Sequence, residues 1–147
     1  MTEAQTPEND RLPPDIERFD FEDDEVFEIA VEIAVLGDPI ADQLRDDRPW
    51  AATQVGKSSF SVATNTGEAQ GEHSPGDKAR FYRYDRRSAT ETAAATVVLG
   101  RREVISIDQE IRIRRLLLSA VKSLTRRIIH FEGISRARTR GWLERKY

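Results

Sequence analysis

The apolar residues of the C-terminal third repeat with the period of an α-helix. Ile113, Leu117, Ala120, Leu124, Ile128 and Phe131 follow one another at spacings of 4, 3, 4, 4 and 3, which places all six on one stripe. Ser106 and Gln109 stand three apart ahead of it, the pattern of a capping box, with Asp108 in the first turn where the helix dipole favours negative charge. The spacing predicts a long amphipathic helix closing at Gly133, on the order of 37 Å in length at about 1.5 Å per residue. Arg115, Lys122 and Arg126 fall opposite the stripe, and a thinner apolar line of Ile111, Leu118 and Ile129 flanks them. One core accounts for one stripe. The second line asks for a second partner, either another helix of the chain or another subunit.

The N-terminal apolar run reads two ways. Phe27, Ile29, Val31, Ile33 and Val35 alternate with Glu28, Ala30, Glu32 and Ala34, a period of two that suits a strand. Asp23, Asp24 and Glu25 suit a helix N-terminus, and Gly37 is a natural residue just past a helix end. Asp38 followed by Pro39 then opens a second short helix. Helix–Gly–helix is preferred over strand–turn–helix.

Between residues 49 and 87 the pattern changes. "SSFSVAT" and "ARFYRYD" are short runs of aromatic and β-branched residues, separated by the turn-rich "NTGEAQGEHSPGD"; they predict a β-hairpin with a long loop. Ser88 and Glu91 form another capping-box pattern, with Gly100 closing a short helix. The expected architecture is α+β and mainly helical: an N-terminal helix pair, a small β-hairpin in the middle, a long amphipathic C-terminal helix and extended termini. Residues 1–14 read as an extended arm, 15–133 as one globular domain and 134–147 as a basic tail. A chain of 147 residues is long enough for one such core.

Charge sharpens this picture. The net charge of −3 conceals a polarity. Residues 1–50 hold 16 Asp and Glu against 4 Arg, whereas residues 101–147 hold 5 Asp and Glu against 13 Arg and Lys. Such asymmetry is met by pairing within the monomer, by pairing with a neighbouring subunit, or by nucleic acid. Arg outnumbers Lys 19 to 4, and Arg makes the planar, two-pronged contacts that interfaces favour. The candidate partner-binding residues are Arg112, Arg115, Lys122, Arg126, Arg136, Arg138, Arg140 and Trp142 at the basic end. At the acidic end they are Asp20, Glu22, Asp23, Asp24 and Glu25.

Few residues point to catalysis. There is no cysteine, so disulfides and thiolate metal sites are excluded. No apolar run approaches the roughly 20 residues of a membrane span. The N-terminal "MTEAQTPENDRLPP" lacks the basic and apolar regions of a signal peptide. "AATQVGKS", Ala51–Ser58, fits a relaxed phosphate-loop pattern without its first glycine, but the residues around it do not form the required strand and helix. His73 lies in an acidic loop and His130 on the long helix, neither beside a recognisable nucleophile. The expectation is a protein without enzymatic activity, metal or cofactor.

The order of an acidic helical start "FEDDEVFEIAVEIAVLGDPIADQL", an irregular middle and the long helix "EIRIRRLLLSAVKSLTRRIIHFEG" resembles the small head–tail connector (neck adaptor) proteins of tailed viruses. The resemblance covers roughly a third of the chain and lies in layout. It implies a ring-forming structural subunit between portal and tail, in the virion or host cytoplasm, whose partners are copies of itself and neighbouring assembly proteins. The alternative reading is a nucleic-acid-associated protein, with the Arg-rich end on phosphates and Trp142 or Tyr147 stacking on bases.

Overall fold

The computed structural model describes residues 11–146, and these are helical almost throughout. A 3-10 turn, Asp20–Asp23, leads into α1, Glu25–Leu44, followed by α2, Pro49–Gly71, α3, Pro75–Arg101, and α4, Ile107–Lys146. Neighbours in sequence pack against each other, and α1 packs against α4 to close the ring; the diagonal pairs have no close backbone approach among the described residues. Short connections make every neighbour antiparallel, giving an up-down-up-down four-helix bundle. The side chains agree. Gly37 approaches Ser59 and Gly67 approaches Phe27 across α1 and α2, while Gln43 meets Gln109 and Asp24 meets Arg127 across α1 and α4.

The expected α+β class is therefore wrong: no strand occurs among the described residues, and the β-hairpin is two helices. On α2 the buried positions are Ala51, Val55, Ser58, Ser59, Val62, Thr66 and Ala69, and on α3 they include Ala79, Tyr82, Asp85, Ala89, Thr92, Thr96 and Leu99. Apart from the adjacent Ser58 and Ser59, both sets step by three and four, but small and polar side chains fill so many of the steps that the helical period is faint in hydrophobicity alone. Local β preference in "SSFSVAT" and "ARFYRYD" yields to this packing. Ser88 is not a cap but a buried residue in the middle of α3, bonded to the Ser61 hydroxyl at 3.0 Å. The true cap is Ser74, whose hydroxyl accepts from the Asp77 N–H at 3.0 Å.

The N-terminal helix pair is also corrected: α1 is one helix through Gly37 and Pro39. Asp24 caps it, accepting from the Val26 N–H. Val26, Ala30, Ile33, Ile40 and Leu44 face the core, so the three-four period overrides the period-two alternation. Gly37 is buried where a Cβ would strike the Ser59 side chain, so its role is close approach of α1 to α2. Pro39 lies on the exposed side, where water can satisfy the Val35 carbonyl that its missing N–H leaves free.

The stripe Ile113, Leu117, Ala120, Leu124 and Ile128 is buried as expected, and Phe131 packs at its edge. The capping box is present: Gln109 N–H donates to Ser106 Oγ at 3.1 Å, and Ser106 N–H donates to Gln109 Oε1 at 3.0 Å. The helix does not stop at Gly133, and residues 134–146 of the expected tail extend it to Lys146. At about 1.5 Å per residue, α4 is roughly 60 Å long, and its last turns pass beyond the start of α3. Of the expected extended arm, residues 1–10 lie outside the described residues, and Arg11–Pro14 carry no regular helix or strand.

Candidate protein–protein interface

Two polar features hold the bundle, one inside and one at its edge. Between α2 and α3 runs a ladder of hydroxyls. Thr92 and Ser58 bond at 2.8 Å, Ser88 and Ser61 at 3.0 Å, and Thr66 meets the Asp85 carboxyl. Asp85 is fully buried and its Oδ1 has no hydrogen-bond partner. Burial pushes its pKa up to about 7, against the lowering effects of Thr66 and Arg127. The Thr66 hydroxyl also lies 2.9 Å from the Val62 carbonyl, and one hydroxyl has one proton to donate. With a proton on Asp85 Oδ2, the carboxyl donates to Thr66 Oγ1 and Thr66 donates to Val62, so each proton is used once and Oδ1 alone is left without a partner.

At the edge, the Arg127 guanidinium donates to both oxygens of Asp24 at 2.5 and 2.7 Å, and to the Tyr82 hydroxyl at 3.0 Å. Gln70 also donates to Asp24. Four helices meet here. Burial alone would raise Asp24, but Arg127 and Gln70 hold its carboxyl below the ordinary value. Burial raises the Tyr82 hydroxyl. Burial would lower Arg127, and its bonds to Asp24 and Tyr82 outweigh that.

The surface divides by charge. Helices α1 and α2 together carry Glu25, Glu28, Glu32, Asp38, Asp42 and Glu68 against the single cation Lys57, while α3 and α4 carry 17 Lys and Arg against 7 Asp and Glu. Because the bundle closes in chain order, the α1/α2 face is opposite the α3/α4 face. Both faces display large apolar side chains: Val35 and Phe60 on one, Ile111, Leu118 and Ile129 on the other. Leu118 borders a groove of about 250 Å³ that it shares with Ala93, Val97 and Val121. The second apolar line of α4 is thus left to solvent by the chain's own helices.

The residues singled out from sequence fall into four places. Asp24 is internal, tied to Arg127. Asp20, Asp23 and Glu25 are exposed around the entry to α1, and Glu22 is half-buried with its carboxylate accepting from the Phe19 N–H. Arg112, Arg115, Lys122 and Arg126 are exposed along α4. Arg115, Lys122 and Arg126 have no ion pair among the described residues, while Arg112 stands 3.9 Å from Asp108. Arg136, Arg138, Arg140 and Trp142 are exposed on the last turns of α4, with Arg136 paired to Glu132 and Lys146 over the Trp142 ring. Tyr147 lies outside the described residues. Sequence reasoning missed Arg127, Tyr82, Thr66, Asp85 and Phe60; the one available signal was the three-four register of Tyr82, Asp85, Ala89 and Thr92.

Ala51–Ser58, the phosphate-loop lookalike, lies inside α2. His73 is exposed between α2 and α3, and His130 is exposed beside Phe131. No group of three or more His, Asp and Glu with metal-binding geometry occurs among the described residues. No described helix is long and apolar enough to cross a membrane.

These features define an antiparallel four-helix bundle with a charge-divided surface. Its fold is similar to that of a protein of unknown function from the S23 ribosomal protein family of Bacteroides thetaiotaomicron, known from a crystal structure at 1.70 Å resolution. The TM-score is 0.65 at 24% sequence identity, covering 70% of this chain and 97% of the other. At that identity the likeness describes the fold. No family model matches the chain, and no curated protein matches it.

Proposed function

We propose that this protein is a non-enzymatic structural subunit of an assembly, binding partner protein through the α3/α4 face. The observation that carries the reading is the exposed line of Ile111, Leu118 and Ile129 beside Arg115, Lys122 and Arg126, which have no ion pairs among the described residues. Apolar side chains rimmed by charge are the makings of an interface rather than of a solvated helix face. A viral neck between portal and tail, in a virion or host cytoplasm, is one setting for such a subunit. The reading does not depend on it, since the β-containing middle of that resemblance is replaced by α2 and α3.

The test is the solution mass of the wild-type chain, alone and with candidate partners, against a Leu118→Asp/Ile129→Asp variant. Both positions are exposed, so the variant folds. Loss of assembly supports the reading, and wild-type protein that stays monomeric with every partner contradicts it.

Nucleic-acid binding is the second reading, favoured by the free end of α4, where Arg138, Arg140, Arg145 and Lys146 project with Trp142 beyond the bundle. It predicts sub-micromolar, salt-sensitive binding of DNA or RNA that is lost when Arg136, Arg138 and Arg140 are changed to Glu.

A further inference from the structure

Resting on the assembly reading, we infer that the occupant of the α3/α4 face is the α1/α2 face of a second copy of this chain. The two faces are complementary in charge and alike in apolar content. Around Val35 and Phe60, which are 63% and 65% exposed, the surface is acidic, with Asp38 on α1 and Glu68 on α2, and with Asp42 paired to Arg45 at its end. Around Leu118 and Ile129, 56% and 66% exposed, it is basic, with Lys122 and Arg126, while Arg115 turns towards the α1/α4 groove that it lines with Glu32 and Val35. Each face also offers a depression. That on α1/α2 is lined by Val31, Ala34, Val35, Phe60 and Ala63, with Asp38 at its rim, and that on α3/α4 lies beside Leu118. Like faces would set cation against cation or carboxylate against carboxylate, so an isologous dimer through either is disfavoured. Unlike faces attract over a distance comparable with the Debye length, about 8–10 Å in ordinary buffers.

The geometry then decides the kind of assembly. The complementary faces are on opposite sides of one bundle, so using one leaves the other free. A contact between unlike faces is heterologous, and it repeats until the rotation per copy closes a ring or the chain of copies runs on. The Asp24–Arg127 pair does not compete with this contact, because it is satisfied within the bundle.

The experiment uses two single-face variants of the full chain, Phe60→Glu and Leu118→Glu, each at an exposed position, with circular dichroism to verify folding and sedimentation to read mass. Each variant alone is expected to be monomeric. Mixed, they are expected to form a one-to-one dimer and no larger species, since the intact α3/α4 face of the Phe60→Glu chain meets the intact α1/α2 face of the Leu118→Glu chain. A Lys122→Glu/Arg126→Glu variant is expected to lose assembly and to regain it, at least tenfold in dissociation constant, when Asp38→Lys and Asp42→Lys are added to the same chain. A Phe60→Glu chain that assembles like wild type while Leu118→Glu does not overturns this inference and leaves the assembly reading standing, with the α3/α4 face meeting something else. A wild-type chain that stays monomeric by itself while assembling with another protein overturns it too. A wild-type chain monomeric with every partner overturns both.

Discussion

Asp24 and Arg127, 103 positions apart, are joined by two parallel hydrogen bonds of 2.5 and 2.7 Å. This pair ties the acidic entry of α1 to the basic α4 within one molecule, so part of the charge asymmetry is settled internally. Replacing Arg127 with Met leaves the Asp24 carboxylate with Gln70 as its remaining side-chain donor and leaves the Tyr82 hydroxyl to find water. The expected loss is about 2 kcal/mol, since the pair is only partly exposed and bidentate. Because the native state holds Asp24 below its ordinary value of 3.8, this stabilisation is present above that pH and fades as the pH falls through the lowered value. Urea denaturation of wild type and Arg127→Met at pH 7 and pH 3 checks both points: the difference between the two proteins narrows at the lower pH.

Asp85 contributes the opposite slope. Its native pKa of about 7 exceeds the ordinary 3.8, so its contribution is most favourable below 3.8, declines as the pH rises between the two values, and is flat above about 7. The full excursion is on the order of 4 kcal/mol at about 1.4 kcal/mol per pKa unit. The groups facing it are the Thr66 hydroxyl from α2, Tyr82 on its own helix, and the more distant Arg127 and Asp24 charges. An Asp85→Asn variant, whose amide can donate to Thr66, is expected to lose that slope and to exceed wild type in stability above pH 7. Thermal unfolding from pH 4 to pH 8 tests this; a wild-type curve that rises steadily across the range contradicts it.

Glu103 sits at φ 56, the left-handed region, just after α3. Its N–H donates to the Gly100 carbonyl at 2.9 Å, and the Val104 N–H donates to the Leu99 carbonyl at 3.0 Å. That pair of bonds is a Schellman motif, with Glu103 where glycine is usual. Gly100, the position that reads as the helix end, is three residues early. Glu103→Gly is expected to stabilise by about 1 kcal/mol, the left-handed penalty less the added freedom of the unfolded chain. A rise in melting temperature of a few degrees would verify it.

Gly37 is expected to reject alanine even though alanine favours helices. Its Cβ would meet both Cβ and Oγ of Ser59, so α1 and α2 must separate, at about 1–3 kcal/mol. Adding Ser59→Gly should return part of the loss. If Gly37→Ala instead stabilises the protein, the close approach of α1 to α2 is not as tight as described.

Leu124 and Leu118 provide the contrast between core and surface on one helix. Leu124 is fully buried, and Leu124→Asp is expected to cost several kcal/mol and to prevent folding. Leu118→Asp should leave the circular dichroism spectrum unchanged and act only on assembly. A soluble, folded Leu124→Asp protein would show that the stripe is not core.

The stripe from Ile113 to Ile128, the Ser106–Gln109 cap and the existence of a second apolar line on α4 were legible in the sequence, because strong apolar side chains at helical spacing and local hydrogen-bonding residues need no distant partner to be recognised; that this line faces solvent was decided by the packing. The helices α2 and α3 were not. Their inner faces are built from Ser58, Thr66, Ser88 and Thr92, and such residues become core only when each finds its partner on the facing helix. The same holds for Gly37, which reads as a helix end until Ser59 stands against it. The sequence also revealed that the chain has an acidic end and a basic end, since charge can be counted along a line. That these lie on opposite faces, with Asp24 and Arg127 bonded inside, was decided by the closure of the bundle: the direction in which a charge points depends on which helices pack together, and long-range contact sets that.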